Sequence, residues 1–200
     1  PDGSMYKGQW YADQRHGTGE WIWPDGSMYK GQWYADQRHG TGEWIWPDGS
    51  MYNQWDGDMM QGVGTYEKGD HTYAGEWQAN QQHGKGEEKW PNGTKYVGEF
   101  QVGFKHGEGE QSWADGSTYQ GSFCSNNKHG TGTYTWPSGY KYEGQWEKDV
   151  MHGEGKLIKG ILIDAGYWQG GKRLDGKGEL DTNRIFQLES MALARPILSR

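Results

Sequence analysis

The chain has 200 residues and a formal net charge of −7, which argues against a general nucleic-acid binder, because neutralising phosphates needs clustered Lys and Arg, and disfavours tight docking on an anionic membrane. Its 35 glycines stand beside 13 tryptophans and 13 tyrosines, so a compact aliphatic core is excluded, while the large apolar groups argue against disorder. Cys124 is the single cysteine, which rules out an internal disulfide framework and a cysteine-based zinc site.

From the N-terminus the chain repeats itself. Pro1 to Tyr29 recurs letter for letter as Pro24 to Tyr52. The unit is Tyr-x-Gly-x-Trp, then His-Gly-x-Gly, then a Trp-Pro-x-Gly loop, with a period of 23 residues. Copy one runs through Tyr6, Gly8, Trp10, His16, Gly17 and Gly19, and copy two through Tyr29, Gly31, Trp33, His39, Gly40 and Gly42. Copy three is shortened to Tyr52-Asn53-Gln54-Trp55 and carries Gln61 in the histidine place. Copies four to seven resume at Tyr73, Tyr96, Tyr119 and Tyr142, with Phe100 and Phe123 in the tryptophan place of the fifth and sixth. A faint eighth copy follows as Gly166, Trp168, Asp175, Gly176 and Gly178.

Each copy alternates with period two. Tyr29, Gly31 and Trp33 share one face of a strand, and Gly40, Gly42, Trp44 and Trp46 share one face of the next. Two such runs separated by Tyr34 to His39 predict a β-hairpin, and Pro47-Asp48-Gly49 turns the chain into the next one. A glycine beside a large ring offers bare backbone for the ring to lie on. Burying one such ring is worth roughly 1.5–3 kcal/mol, which exceeds the ~1 kcal/mol backbone cost of a glycine. An isolated hairpin is marginal in water, so the copies hold one another. Copy three needs a bulge, because a one-residue slip would turn Tyr52 and Trp55 to opposite faces.

The motif resembles the MORN repeat (membrane occupation and recognition nexus) over roughly residues 1–180. The resemblance implies an all-β fold: hairpins stacked into a single-layer, elongated, twisted antiparallel sheet, about 75–80 Å long at two strands per repeat. Residues 181–200 are expected to form a short amphipathic helix bearing Ile185, Leu188 and Met191, as a cap or a docking segment. The chain is read as part of a longer protein.

Six histidines share one slot: His16, His39, His83, His106, His129 and His152. Their neighbours vary, and equivalent places about 10 Å apart are too far apart to share one metal ion. The slot is therefore read as structural. His-Gly-x-Gly continues as a strand, so it lacks the helix start of a phosphate loop. No catalytic residues, metal or cofactor are expected.

A single-layer sheet is expected to leave rows of rings partly exposed, and exposed apolar rows mark interaction sites. Tyr73, Trp77, Tyr96, Phe100, Tyr119, Phe123, Tyr142 and Trp146 are accordingly the candidate partner-binding floor, for an amphipathic helix or an extended peptide. The leading expectation is a non-enzymatic scaffold for other proteins, with homo-oligomerisation open. A chain made nearly all of such repeats looks most like the radial spoke head proteins of motile cilia, which implies the cytoplasm and the axoneme. Membrane or phosphoinositide binding ranks second, because the polar face leans acidic through Glu76, Glu87, Glu99, Glu108, Glu110, Glu143 and Glu154. The recognition arm of a larger enzyme ranks third.

Overall fold

The computed structural model describes residues 3–175. Among them are seventeen strands and no helix. The expected helix after Asp181 lies outside the described residues. The described residues divide into two compact units, one of residues 3–91 with 100–103 and one of residues 92–99 with 104–175.

The first unit holds β1 (Met5–Tyr11), β2 (Gln14–Ile22), β3 (Met28–Tyr34), β4 (Gln37–Ile45), β5 (Met51–Asp56), the two-residue β6 (Met59–Met60), β7 (Gly62–Lys68), β8 (His71–Gln78) and β9 (Gln81–Lys89). They follow chain order, each antiparallel to its predecessor and its successor, with β6 a short partner of β5 beside β7. After β10 (Lys95–Gln101), the second unit continues with β11 (Phe104–Ser112), β12 (Thr118–Cys124), β13 (Asn127–Thr135), β14 (Lys141–Glu147), β15 (Val150–Lys159), β16 (Leu162–Gln169) and β17 (Lys172–Leu174), paired in the same way. The fold is all-β and open, built of stacked hairpins.

Glycine faces glycine across every regular hairpin: Gly8 and Gly19, Gly31 and Gly42, Gly75 and Gly86, Gly121 and Gly132, Gly144 and Gly155. The two bare backbones form a trough, and the tyrosine two residues earlier lies down in it. Tyr29, Tyr73, Tyr96, Tyr119 and Tyr142 are completely buried. Each hydroxyl reaches over the trough and donates to the carbonyl three residues on, as Tyr73 does to Glu76 (2.8 Å) and Tyr96 to Glu99 (2.9 Å). A Cβ at Gly109 would stand 2.5 Å from Tyr96 Oη and 2.6 Å from its ring carbon Cε2. Above the tyrosines, Trp or Phe rings pack edge-on: Tyr119 meets Phe123 at 5.1 Å and Trp146 at 5.3 Å between centroids. The sheet thus carries a core one residue deep.

The glycine after each histidine answers a different demand. Gly40, Gly84 and Gly153 adopt φ of 59°, 55° and 62°, in a bulge that most side chains avoid. The side chain between the strand glycine and the tryptophan hooks that bulge. Glu76 Oε1 accepts the N–H of Lys85 at 2.8 Å, and Gln145 Oε1 that of Glu154 at 3.1 Å.

Two local expectations are revised or resolved. The Tyr34–His39 loop shrinks to the pair Ala35–Asp36, because both residues take positive φ (47° and 68°) and close a tight two-residue turn. Ala12–Asp13, Ala79–Asn80, Ser125–Asn126 and Lys148–Asp149 do the same. The irregularity expected at copy three is present and falls in the facing strand β4: its pairing with β5 shifts between Thr41 and Trp44, and Tyr52 and Trp55 are both buried. The aliphatic stretch after Lys156 makes one more hairpin, whose Ile161, Leu162 and Ile163 are exposed.

Gly109→Ala is expected to cost about 3 kcal/mol, near the top of the range for overpacking, whereas Tyr96→Phe, which removes one hydrogen bond, costs about 1 kcal/mol; denaturant titration separates the two. Burial also pushes the Tyr29 phenol up to about 12 and those of Tyr73, Tyr96, Tyr119 and Tyr142 upward too. A phenol raised in the folded state contributes full stability below its unfolded pKa of about 10 and loses it as pH climbs through the folded value. The guanidinium midpoint should hold steady between about pH 8 and 10 and fall steeply above that.

Candidate interaction surface

The two-residue turns put a positively charged side chain where alternation across a longer loop would not. With the turn at Ala12–Asp13, Arg15 falls opposite Trp10 on the aromatic face. Its guanidinium lies 4.2 Å from the Trp21 ring centroid and 4.4 Å from that of Trp33. Arg38 repeats this over Trp44 and Trp55. In the second unit, Lys128 holds its ammonium within 5.4–5.8 Å of Trp113, Tyr119, Tyr134 and Trp146. The same slot carries Met60, Gln82, Lys105 and Met151 in other copies.

These cations are anchored by the turn of the following repeat. Asp36 Oδ1 accepts both the backbone N–H and the Nε–H of Arg15 at 2.9 Å, while Asp36 N–H returns to Arg15 O at 3.1 Å. The backbone N–H first and the guanidinium second hold the Asp36 carboxyl below the usual carboxylate range. Asp58 serves Arg38 likewise, and Asp149 accepts the Lys128 N–H at 2.9 Å with its ammonium 3.2 Å away. Asn80 and Asn126 hook Met60 and Lys105 through backbone N–H alone. Within each unit the turns are therefore tied in sequence, each to the hairpin before it.

Where a polar residue takes the place of Trp21 or Trp44, the chain supplies a partner. Glu88, 9% exposed, sits 2.8 Å from His71 Nε2, and Gln111 accepts a 2.8 Å hydrogen bond from Lys105 Nζ.

The candidate floor is corrected by this arrangement. Tyr73, Tyr96, Tyr119 and Tyr142 are 0% exposed, Phe100 and Phe123 3%, Trp77 7% and Trp146 6%. The row presents no open surface, because tyrosines fill the glycine troughs, the neighbouring rings seal them edge-on, and the cation slot lids the gaps. The rings that do reach solvent lie elsewhere. Tyr11 and Tyr34 are 72% and 61% exposed at the turn ends of β1 and β3. His16 packs between them, 5.7 Å from Tyr11 and 5.2 Å from Tyr34, and His39 follows at 6.1 Å. His39 Nδ1 lies 3.2 Å from Asp56 Oδ1. His16, His39 and His152 thus each face a neighbouring ring or carboxylate.

Reading the six-residue stretch as loop hid both the cation slot and this stripe. Extending period-two alternation through Arg38 and Tyr34 from a turn at Ala35–Asp36 would have found them. Among the described residues no cluster of His, Cys, Asp or Glu could hold a metal ion, and no helix is long and apolar enough to cross a membrane. A shallow hollow of about 850 Å³ on the polar face of the first unit is lined by Lys30, Thr41, Glu43, Asn53, Val63 and Thr65 among others.

The family model described as the MORN repeat matches residues 6–28, 29–51, 54–72, 73–95, 96–118, 119–139 and 142–160. No curated protein matches the chain in sequence. Solved structures with a similar strand arrangement include the TCP domain of SAS-4 from Drosophila melanogaster in complex with a proline-rich motif of Ana2, at 12% identity and a TM-score of 0.48, covering 82% of this chain and 90% of that one. Another is the TCP10c domain of Drosophila melanogaster Sas-4, at 11% identity and a TM-score of 0.45, covering 82% and 100%. A third is the TCP10 domain of Danio rerio CPAP with a peptide of STIL, at 13% identity and a TM-score of 0.28, covering 88% and 96%. At these values the likeness says nothing about function.

If the cation slot serves packing more than charge, Lys128→Met should change stability by less than about 1 kcal/mol, since Met60 and Met151 occupy it elsewhere. Lys128→Ala, which strips the stem from four rings, should cost about 2 kcal/mol in the same denaturant titration.

Proposed function

The chain belongs to the MORN-repeat family, and on that premise we propose that it is a non-enzymatic scaffold that holds protein partners on the outer surfaces of its hairpin array. The observation that carries this reading is repetition of role. Ion pairs on the aromatic face recur in one structural arrangement, Arg15 with Asp36, Arg38 with Asp58 and Lys128 with Asp149, while a pair unlike them, His71 with Glu88, stands in a tryptophan's place and stacks on the Trp90 ring. A frame for other molecules needs only that the same piece be stacked. One slot that differs between copies, filled by Tyr11, Tyr34, Asp56, Gln78, Gln101, Cys124 and Glu147, is exposed, and partner choice can vary there without loss of the fold.

Within this reading, a chain composed almost wholly of repeats fits a cytoskeletal assembly such as the radial spoke head, in the cytoplasm and along the axoneme. The membrane reading is weaker. It needs outward-facing cations, whereas the side chains of Arg15, Arg38 and Lys128 are only 14–18% exposed and lie over tryptophans, and the outward Lys68 and Lys89 are paired with Asp48 and Glu87. Service as the recognition arm of a larger enzyme is compatible with the scaffold and differs only in what is attached.

Tagged full-length protein in ciliated cells is expected along axonemes and in the detergent-resistant fraction, with cross-linked protein neighbours recovered by mass spectrometry. Vesicles containing phosphatidylserine and a phosphoinositide should not sediment it at physiological salt. A diffuse signal removes the ciliary assignment. Strong vesicle binding with no protein neighbours replaces the scaffold with the membrane reading.

A further inference from the structure

The Tyr11–His16–Tyr34–His39 stripe is not needed for stacking. Tyr34 is 61% exposed although β3 is paired on both sides. At the same slot later copies carry Asp56, Gln78, Gln101, Cys124 and Glu147, and their strands still pair with their neighbours. The array is its own control: a ring there does not build the hairpin. Large rings left in water where folding does not require them mark a contact surface.

The spacing selects the occupant. Tyr11 and Tyr34 stand two strands apart, about 9.6 Å at the usual strand separation. A polyproline II helix advances about 9.3 Å in its three-residue turn. Laid across the strands, it brings every third residue over a tyrosine, with His16 filling the interval. An α-helix, with a pitch of about 5.4 Å, and an extended strand, repeating about every 6.8 Å, both fall out of step. Charge gives the second constraint. Asp13 stands in the turn beside Tyr11, and Asp56, 65% exposed, adjoins His39. Asp36 and Asp58 are already paired with Arg15 and Arg38, so the acidic groups offered to a partner are Asp13 and Asp56.

We infer that this stripe docks a basic, proline-rich segment of a partner protein in the polyproline II conformation, with proline rings on Tyr11 and Tyr34 and Lys or Arg side chains toward Asp13 and Asp56. The inference rests on the scaffold reading and names one surface and one class of partner for it. Preformed polyproline loses little entropy on docking, and aromatic-lined surfaces are its usual receptors.

The test uses the full chain and two fluorescent peptides of equal length and charge, one of repeated Pro-Pro-Arg triplets and one of repeated Gly-Ser-Arg triplets. The first should bind at least about tenfold more tightly in anisotropy titrations, since rings in contact dominate such interfaces. A Tyr11→Gln, Tyr34→Gln double variant carries the residue that the fourth and fifth copies already have. It should lose at least about tenfold of that affinity, with a melting temperature within about 2 °C of the parent. Equal binding of both peptides, binding of neither, or full binding by the folded double variant overturns the inference. If the parent ignores the proline peptide yet still yields cross-linked protein neighbours in cells, this surface is wrong and the scaffold reading stands; with no neighbours, both fall.

Discussion

The structure depends on a tyrosine ring lying flat across two facing glycines. A single-layer sheet has no second layer to cover its apolar face, so it must cover itself. Side chains standing upright on the sheet would leave their flanks in water. Removing the Cβ atoms at Gly98 and Gly109, or at Gly121 and Gly132, opens a trough deep enough for Tyr96 or Tyr119 to lie down in. The hydroxyl, which would be costly to bury unpaired, is met by a carbonyl three residues along the same strand. Backbone freedom lost at the glycines is offset by ring burial, and the tight turn and the bulge then set where each ring begins and ends.

The second device ties neighbouring repeats together. Non-glycine residues at positive φ cost roughly 1–2 kcal/mol each, and five of the turns contain two of them. The Asp or Asn at the second position recovers part of this by accepting the N–H of the residue before the histidine slot in the previous copy. Where that residue is Arg, a charge-assisted contact is added. Strain within one hairpin is thus relieved only by the next, which makes stability a property of neighbours rather than of single copies.

The two faces of each hairpin consequently answer to different pressures. On the aromatic face, substitutions are compensated locally: where tryptophan gives way to Glu88 or Gln111, His71 or Lys105 supplies the missing polar partner. At the exposed slot of Tyr11 and Tyr34 no such compensation is needed, because Gln, Asp, Cys and Glu are accepted there without change of pairing. Variation at that slot is free to record what the array touches.

The period of 23 residues, the all-β class, the stacking of hairpins and the pairing of rings with glycines follow from the amino-acid order alone, because alternation and glycine placement act within a few residues. So does an irregularity at copy three, forced by a missing residue between Tyr52 and Trp55 and taken up in the facing strand β4. Only the tertiary structure decided which rings are open to solvent. Whether Phe100 and Phe123 lie open or sealed depends on Tyr73 and Tyr96, each in the preceding copy, and on cations whose face is set by turns just two residues long. Those turns were illegible because Ala-Asp, Ser-Asn and Lys-Asp are poor candidates for positive φ by themselves, and their stabilising partners lie about twenty residues away in another hairpin.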